Sequence, residues 1–233
     1  MQAGEAHSGR SERAPRGHLW IGDAVTTVAG GAVRIHDGVV PQDLSAVGWP
    51  LLTERLVIRP ATPADIESTW QIRRLPSVSM WMTSDADDRE EFARLYVEPD
   101  RLASTLVLVC DGVIVGDMMV AVGDAWAQTE VADQARGVQA ELGWTIDPAH
   151  AGRGLATEAA SAVLRACFVD LGLRRVYAQC FADNVPSWRI MEKLGMRREE
   201  YAVRDSLHRS GEWRDAMRYA ILADEWRAAR PPA

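Results

Sequence analysis

Apolar and polar positions recur along most of this chain with a period that changes from segment to segment. Residues 51–59 alternate as a strand does, with Leu52, Leu56 and Ile58 set among polar neighbours. Thr62-Pro63-Ala64-Asp65 supplies a cap and a first-turn proline, which predicts a helix running to about Arg73. Residues 77–84, with their Met and Trp, read as an irregular loop, and 85–97 as a second helix whose acidic start suits the helix dipole. Apolar runs at 106–110 and 113–122 flank Asp111-Gly112 and predict an antiparallel hairpin. The polar connection 123–137 is longer than a hairpin needs and is a candidate binding loop. Residues 140–146 then alternate again, with Leu142, Trp144 and Ile146 on one face and Glu141, Gly143 and Thr145 on the other.

Beyond Asp147-Pro148 the period becomes helical, with Leu155, Ala159, Ala162 and Ala166 on one face and Gly172 as the stop. A strand at 174–181 follows, then a shorter helix opened by Asn184 and Pro186 and ended at Gly195. Segments 196–205 and 212–222 predict an antiparallel pair around a polar loop, 206–211, and 223–229 a helical end. Strands and helices interleave without an internal repeat, so the expectation is one α/β (α+β) domain over 51–229. Upstream, 1–17 are polar and mixed in charge, as a mobile tail would be. Residues 18–50 form an N-terminal extension, with short strands around Gly30-Gly31 and Asp37-Gly38 predicting an added hairpin and 41–50 reading as a linker.

Composition narrows the function classes. No apolar run approaches the ~20 residues of a membrane span, and 1–17 lack a secretory apolar core, so the expected location is the cytoplasm, with no membrane partner. A formal net charge of −7 argues against non-specific nucleic-acid binding. Cys110, Cys167 and Cys180 lie in apolar periodic segments without metal-ligand spacing, which predicts reduced packing thiols and no metal.

The candidate chemistry centres on residues 150–157. They lie between a predicted strand and a predicted helix, and Gly152 and Gly154 let the backbone approach a bulky anion where the first helical turn leaves N–H groups unpaired. A phosphorylated cofactor suits such a turn. By itself, though, Gly-x-Gly is also what a plain strand-to-helix turn uses.

Further blocks fall in a definite order: Thr53-Glu54-Arg55-Leu56-Val57-Ile58-Arg59, then Gly152-Arg153-Gly154-Leu155-Ala156-Thr157-Glu158-Ala159, Asn184-Val185-Pro186-Ser187 and Lys193-Leu194-Gly195-Met196. With them the chain, from about Trp49 to Trp226, resembles the GNAT superfamily of acetyl-CoA-dependent N-acyltransferases, in particular the branch containing ribosomal-protein N-terminal acetyltransferases. The resemblance implies a mixed, mostly antiparallel central sheet flanked by helices. It implies that Gly152, Arg153, Gly154, Leu155, Ala156 and Thr157 hold the coenzyme A pyrophosphate through backbone N–H groups. It also implies that backbone groups at Trp144, Thr145 and Ile146 meet the thioester and pantetheine chain, and that Asn184 bonds a pantetheine amide. Two positions depart from the family pattern: Ala151 stands where Gln or Arg is usual, and Met191 where many members carry the tyrosine that protonates the departing thiolate. Ser187 is then the candidate hydroxyl for that thiolate, although a serine also suits a first helical turn for capping reasons.

Acetyl transfer to an amine needs a base, and Glu141 is the candidate, set against an ordinary salt-bridged strand glutamate. His150 reads as a solvated loop histidine, Arg189 and Lys193 as weak candidates for a 3′-phosphate, and Met80, Trp81 and Met82 as candidate walls of an acceptor pocket. The expected activity is acetylation of a primary amine, on a peptide N-terminus or a small molecule, with a non-catalytic coenzyme A-binding module as the alternative. A homodimer is left open.

Overall fold

The alternating segments pair into one eight-stranded sheet. The structure, a computed structural model, describes residues 44–84 and 86–229, so the expected tail, the added hairpin and the first part of the linker lie outside the described residues. The strands are β1 (Leu51–Leu52), β2 (Val57–Pro60), β3 (Thr105–Cys110), β4 (Val113–Gly123), β5 (Gln139–Ile146), β6 (Arg175–Phe181), β7 (Arg197–Leu207) and β8 (Trp213–Leu222), in the spatial order β1-β2-β3-β4-β5-β6-β8-β7. All neighbours are antiparallel except β5 and β6. A parallel pair needs a crossover, and α5 (Leu155–Val169) supplies it. Helices α1 (Ile66–Arg73), α2 (Pro76–Ser79), α3 (Arg89–Tyr96) and α4 (Pro99–Ser104) precede β3; α6 (Val185–Lys193) follows β6, and α7 (Ala223–Ala228) follows β8.

The faces of the central strands follow from their alternation. Met118, Val120, Ala140, Leu142, Val176 and Ala178 are buried in one core with Leu155, Ala159, Val163 and Phe168 of α5. On the opposite face of β4, Asp117 is 1% exposed and receives two guanidinium bonds from Arg73 of α1, one of them from Nε at 2.9 Å. A smaller cluster of Ala61, Ala86, Phe92, Tyr96 and Val107 packs α3 onto the sheet.

Four local expectations change. The strand expected over 51–59 is broken at 53–56, where the Thr53 N–H donates to the Leu56 carbonyl at 3.0 Å and the Leu56 N–H to Thr53 Oγ1 at 2.9 Å. A local side-chain bond thus displaces a continuous strand, and Leu52 is left 73% exposed while Leu56 and Ile58 are buried. The expected loop at 77–84 begins as α2, and α4 is an unexpected helix; each opens with a proline at its first position, Pro76 and Pro99. The end of the linker is packed, since Leu44 and Val47 are buried and Trp49 Nε1 donates to the Leu44 carbonyl at 2.9 Å. The thiols are free, with Cys110 and Cys167 buried and Cys180 half-buried.

Removing the Asp117 carboxylate leaves the Arg73 guanidinium buried without its counter-charge. Asp117→Ala is expected to lower the unfolding free energy by about 3–5 kcal/mol, measured by urea denaturation, with the denaturant slope unchanged.

Candidate active site

Strand β5 keeps its antiparallel ladder with β4 along its whole length, from Gly123↔Gln139 to Gly116↔Ile146, but its parallel ladder with β6 ends at Glu141↔Tyr177. Beyond that point the strands diverge. Gly116 permits the long contact with β4, because a Cβ there would lie 2.2 Å from the Thr145 carbonyl oxygen. The Asp147 N–H donates across to Val115, while the Val138 carbonyl accepts from Arg174 on the β6 side. By alternation, even-numbered residues of β5 point their backbone groups toward β6 and odd-numbered ones toward β4. Trp144 and Ile146 therefore direct N–H and C=O into the opening. Thr145 faces β4 instead, and its hydroxyl, 6% exposed with the rest of the residue, donates to Met82 Sδ at 3.6 Å.

The chain leaves β5 through a 3-10 turn, Pro148–His150, and enters the glycine-rich segment, where Gly152 has φ +74° and Gly154 φ +80°. The first helical bond is the Glu158 N–H donating to the Gly154 carbonyl at 3.0 Å. Among the described residues, no protein acceptor meets the N–H groups of Gly152, Arg153, Gly154, Leu155, Ala156 or Thr157. Six consecutive free donors at the start of a four-turn helix form a nest for a polyanion. His150 stands at the rim, with Nδ1 3.4 Å from Asp147 Oδ2.

Across the opening, α6 begins at Asn184. Its carbonyl accepts the Ser187 N–H at 3.0 Å, but its side chain makes no capping bond, so capping does not account for the residue type. Ser187 is half-buried near the Cys180 thiol, which burial pushes up to about 11 while the serine hydroxyl pulls it back. Met191 is 1% exposed and belongs to the core. Arg189 and Lys193 are exposed, the former 5.7 Å from the Trp188 ring.

The other face of the sheet carries Glu141. Burial pushes its carboxyl above the usual range, while hydrogen bonding from Tyr177 and Gln179 and the charge of Arg218 pull it back. Burial and the neighbouring Glu141 raise the Tyr177 phenol to about 12, and the Arg175 and Arg218 guanidinium carbons lie 5.0 and 5.8 Å from its ring. Residues 80–84 form a strap over this face where the strands part. Met82 reaches Thr145 at the end of β5, and Trp81 lies 6.5 Å from Phe181 at the end of β6. The turn between β7 and β8 grips the strap: His208 Nε2 bonds the Met80 carbonyl at 2.9 Å, and Arg209 Nη2 donates to the Met82 carbonyl at 2.6 Å. Because the Ser210 N–H donates to His208 Nδ1 at 3.2 Å, Nε2 carries the proton of the neutral ring and is the donor to Met80.

The structure therefore gathers Glu141, Trp144, Ile146, the strap and the start of α6 around one opening, with the glycine-rich turn leading away from β5. The candidate loop 123–137 does not join them. It precedes β5 at the end where the parallel ladder is intact, and Asp124 there accepts the Gly137 N–H at 2.8 Å within the loop. Tyr177, Gln179, His208, Arg209 and Arg218 were not foreseen. The only signal for Tyr177 is its registration beside Glu141, which no local pattern reveals.

A family model described as Acetyltransferase (GNAT) domain matches residues 55–197. The uncharacterized N-acetyltransferase YnaD of Bacillus subtilis (strain 168) is 42% identical over 86 residues, 37% of this chain and 50% of that protein. The ribosomal protein uS5-alanine N-acetyltransferase of Escherichia coli (strain K12) is 32% identical over 89 residues, 38% of this chain and 45% of that protein. The chain spans about half the length of the curated relatives it matches. A solved structure, the acetyltransferase (GNAT family) from Bacillus anthracis, aligns with a TM-score of 0.64 at 29% identity over 75% of this chain and 99% of that one. No helix among the described residues is long and apolar enough to cross a membrane.

The left-handed backbone at Gly154 makes the nest testable. A side chain there costs roughly 1–2 kcal/mol, about tenfold in an equilibrium. With ADP as a diphosphate probe, the parent protein is expected to show a rise in melting temperature and Gly154→Val a smaller one, corresponding to about tenfold weaker binding, while the far-ultraviolet circular dichroism is retained.

Proposed function

The chain belongs to the GNAT acetyltransferase family, and on that premise we propose that it moves an acetyl group from acetyl-CoA to a primary amine by direct attack, without a covalent enzyme intermediate. The observation that carries this reading is the run of six free N–H groups, Gly152 to Thr157, following a strand that has parted from its neighbour. These donors fit a pyrophosphate, and Trp144 and Ile146 fit an extended amide-containing chain because their backbone groups face the opening. Bound there, acetyl-CoA supplies the acetyl group activated as a thioester.

The chain's own residues then divide the work. The backbone N–H groups of the glycine-rich turn anchor the pyrophosphate, and those of Trp144 and Ile146 stabilise negative charge as it develops on the carbonyl oxygen. Thr145 holds Met82 and so shapes the acceptor side. The free amide of Asn184 bonds the pantetheine. Glu141 takes the proton from the attacking ammonium, directly or through water; its raised pKa makes it a stronger base than an exposed glutamate. Ser187 offers a hydroxyl hydrogen bond to the departing thiolate, which takes up the proton released by the acetylated amine, the position of Met191 being closed in the core. The acceptor amine, of a peptide N-terminus or a small molecule, enters beneath the strap.

A second reading, a coenzyme A-binding module without catalysis, is favoured by one observation: a buried thioether at Met191 in place of a hydroxyl. A screen of amines and N-terminal peptides with acetyl-CoA, read as free-thiol release, separates the two. Amine-dependent release supports transfer. A melting-temperature rise with coenzyme A but no release from any amine supports the second reading.

Glu141→Gln is expected to lower kcat/KM by about 10²–10⁴ and to remove the acid limb of its pH profile. The base must be ionised to act, so in the parent enzyme kcat/KM falls as pH drops through the raised carboxyl pKa, above the ordinary glutamate value near 4.3. A glutamine cannot titrate; an acid limb unchanged in the variant assigns the base elsewhere.

A further inference from the structure

The break between β1 and β2 places Thr53 and Arg55 against the glycine-rich segment, about a hundred residues away in sequence. The Glu158 carboxylate, in the first turn of α5, accepts four hydrogen bonds from them. Oε1 receives the Thr53 hydroxyl at 2.6 Å and the Arg55 backbone N–H at 2.9 Å, and Oε2 receives Arg55 Nε at 2.8 Å and Nη2 at 2.5 Å. The remaining arm of the guanidinium, Nη1, donates to the Arg153 carbonyl at 2.8 Å. A Cβ added to Gly154 would sit 3.7 Å from Nη2, so the guanidinium lies directly on the turn.

That last bond bears on the anion nest. The Arg153 carbonyl and the Gly154 N–H belong to one planar trans peptide and point in opposite directions. Holding the carbonyl on Arg55 therefore fixes where the Gly154 N–H points. The peptide is otherwise weakly constrained, since glycines with positive φ stand on both sides of Arg153 and the neighbouring N–H groups have no protein acceptor. Charge gives a second reason for the arrangement. Glu158 sits within one turn of the nest, where a bare carboxylate would repel a pyrophosphate. Burial alone would raise its pKa, yet the bonds from Thr53 and Arg55 hold it below the usual range, so it is ionised and Arg55 cancels its charge.

We propose that Arg55 is a positioning residue for the pyrophosphate-binding turn: Thr53 and Glu158 hold its guanidinium, and its Nη1 holds the Arg153 carbonyl so that the Gly154 N–H is presented to phosphate oxygens. The proposal rests on the reading of the turn as a coenzyme A pyrophosphate site. The Arg55 side chain is 38% exposed and that of Glu158 16%, so a loss of stability is separated from a loss of cofactor binding by the test itself.

The test compares acetyl-CoA with S-acetylpantetheine, which carries the thioester but no pyrophosphate. Arg55→Gln is expected to raise the Kd of coenzyme A and the KM of acetyl-CoA by about tenfold, the scale of one charge-assisted hydrogen bond. At saturation kcat is expected to stay within about twofold, the pattern of lost ground-state binding, and kcat/KM with S-acetylpantetheine to be unchanged. Arg55→Lys keeps the charge without the fork and is expected to resemble Arg55→Gln. Should Arg55→Gln fail to fold, Glu158→Gln, which removes the anchor of the guanidinium, is expected to show the same selective loss. An unchanged coenzyme A Kd, an equal loss with S-acetylpantetheine, or parental behaviour of Arg55→Lys overturns the proposal. A parent protein that does not bind coenzyme A overturns the functional reading instead.

Discussion

A buried strand whose hydrogen-bonding partner ends before it does must send its remaining backbone groups somewhere else. The candidate site depends on this constraint. Strand β5 has three registered pairs with β6 and then diverges, while β4 holds it along its full length. The close approach at Gly116 keeps the far end of β5 on β4, so the divergence opens a gap on one edge only. Backbone polarity then lines the gap with donors and acceptors, because Trp144 and Ile146 aim their peptide groups into it.

The same strand keeps different tasks apart by alternation. The side chains of Ala140 and Leu142 are buried against α5, while on the other face Glu141 lies beside Tyr177 and Thr145 reaches Met82 of the strap. A rigid core and a titratable cluster can thus lie on opposite faces of one sheet. Burial raises both the Glu141 carboxyl and the Tyr177 phenol; the carboxylate pushes the phenol further up, while the phenol pulls the carboxyl back. On the other side of the opening, the glycine-rich turn presents backbone donors beside a carboxylate neutralised by Arg55.

Two long-range clamps hold the walls of the opening. His208 and Arg209 bond carbonyls of the strap across more than a hundred residues of sequence, and Arg55 bonds a carbonyl of the glycine-rich turn across a similar span. In each case a side chain from a hairpin corner grips the backbone of a segment that lacks regular secondary structure. Loops held in this way keep their shape without hydrogen-bonded ladders of their own, and the strap and the glycine-rich turn are fixed independently.

Much of the fold was legible locally. Alternation placed β3 to β8 and the helical period placed α1, α3, α5 and α6, because each buries one face and the period records which. Asp111-Gly112 marked its hairpin, and the order of the glycine-rich, Asn184–Ser187 and Lys193–Met196 blocks pointed to the family. Short range also misled: the pattern over 51–59 reads as one strand, but Thr53 closes a turn within it, and the prolines opening α2 and α4 were weak signals in short segments. The glycine-rich turn belongs to the sequence, since its donors are free for reasons internal to a helix start. Which groups surround it was decided only by tertiary structure: the parting of β5 from β6, the pairing of Glu141 with Tyr177, the hold of Arg55 on Arg153 and of His208 on Met80. Those contacts join residues 36, 98 and 128 positions apart. Hydrophobic period carries no information about such partners, because it reports the face a residue buries and not the strand that arrives beside it.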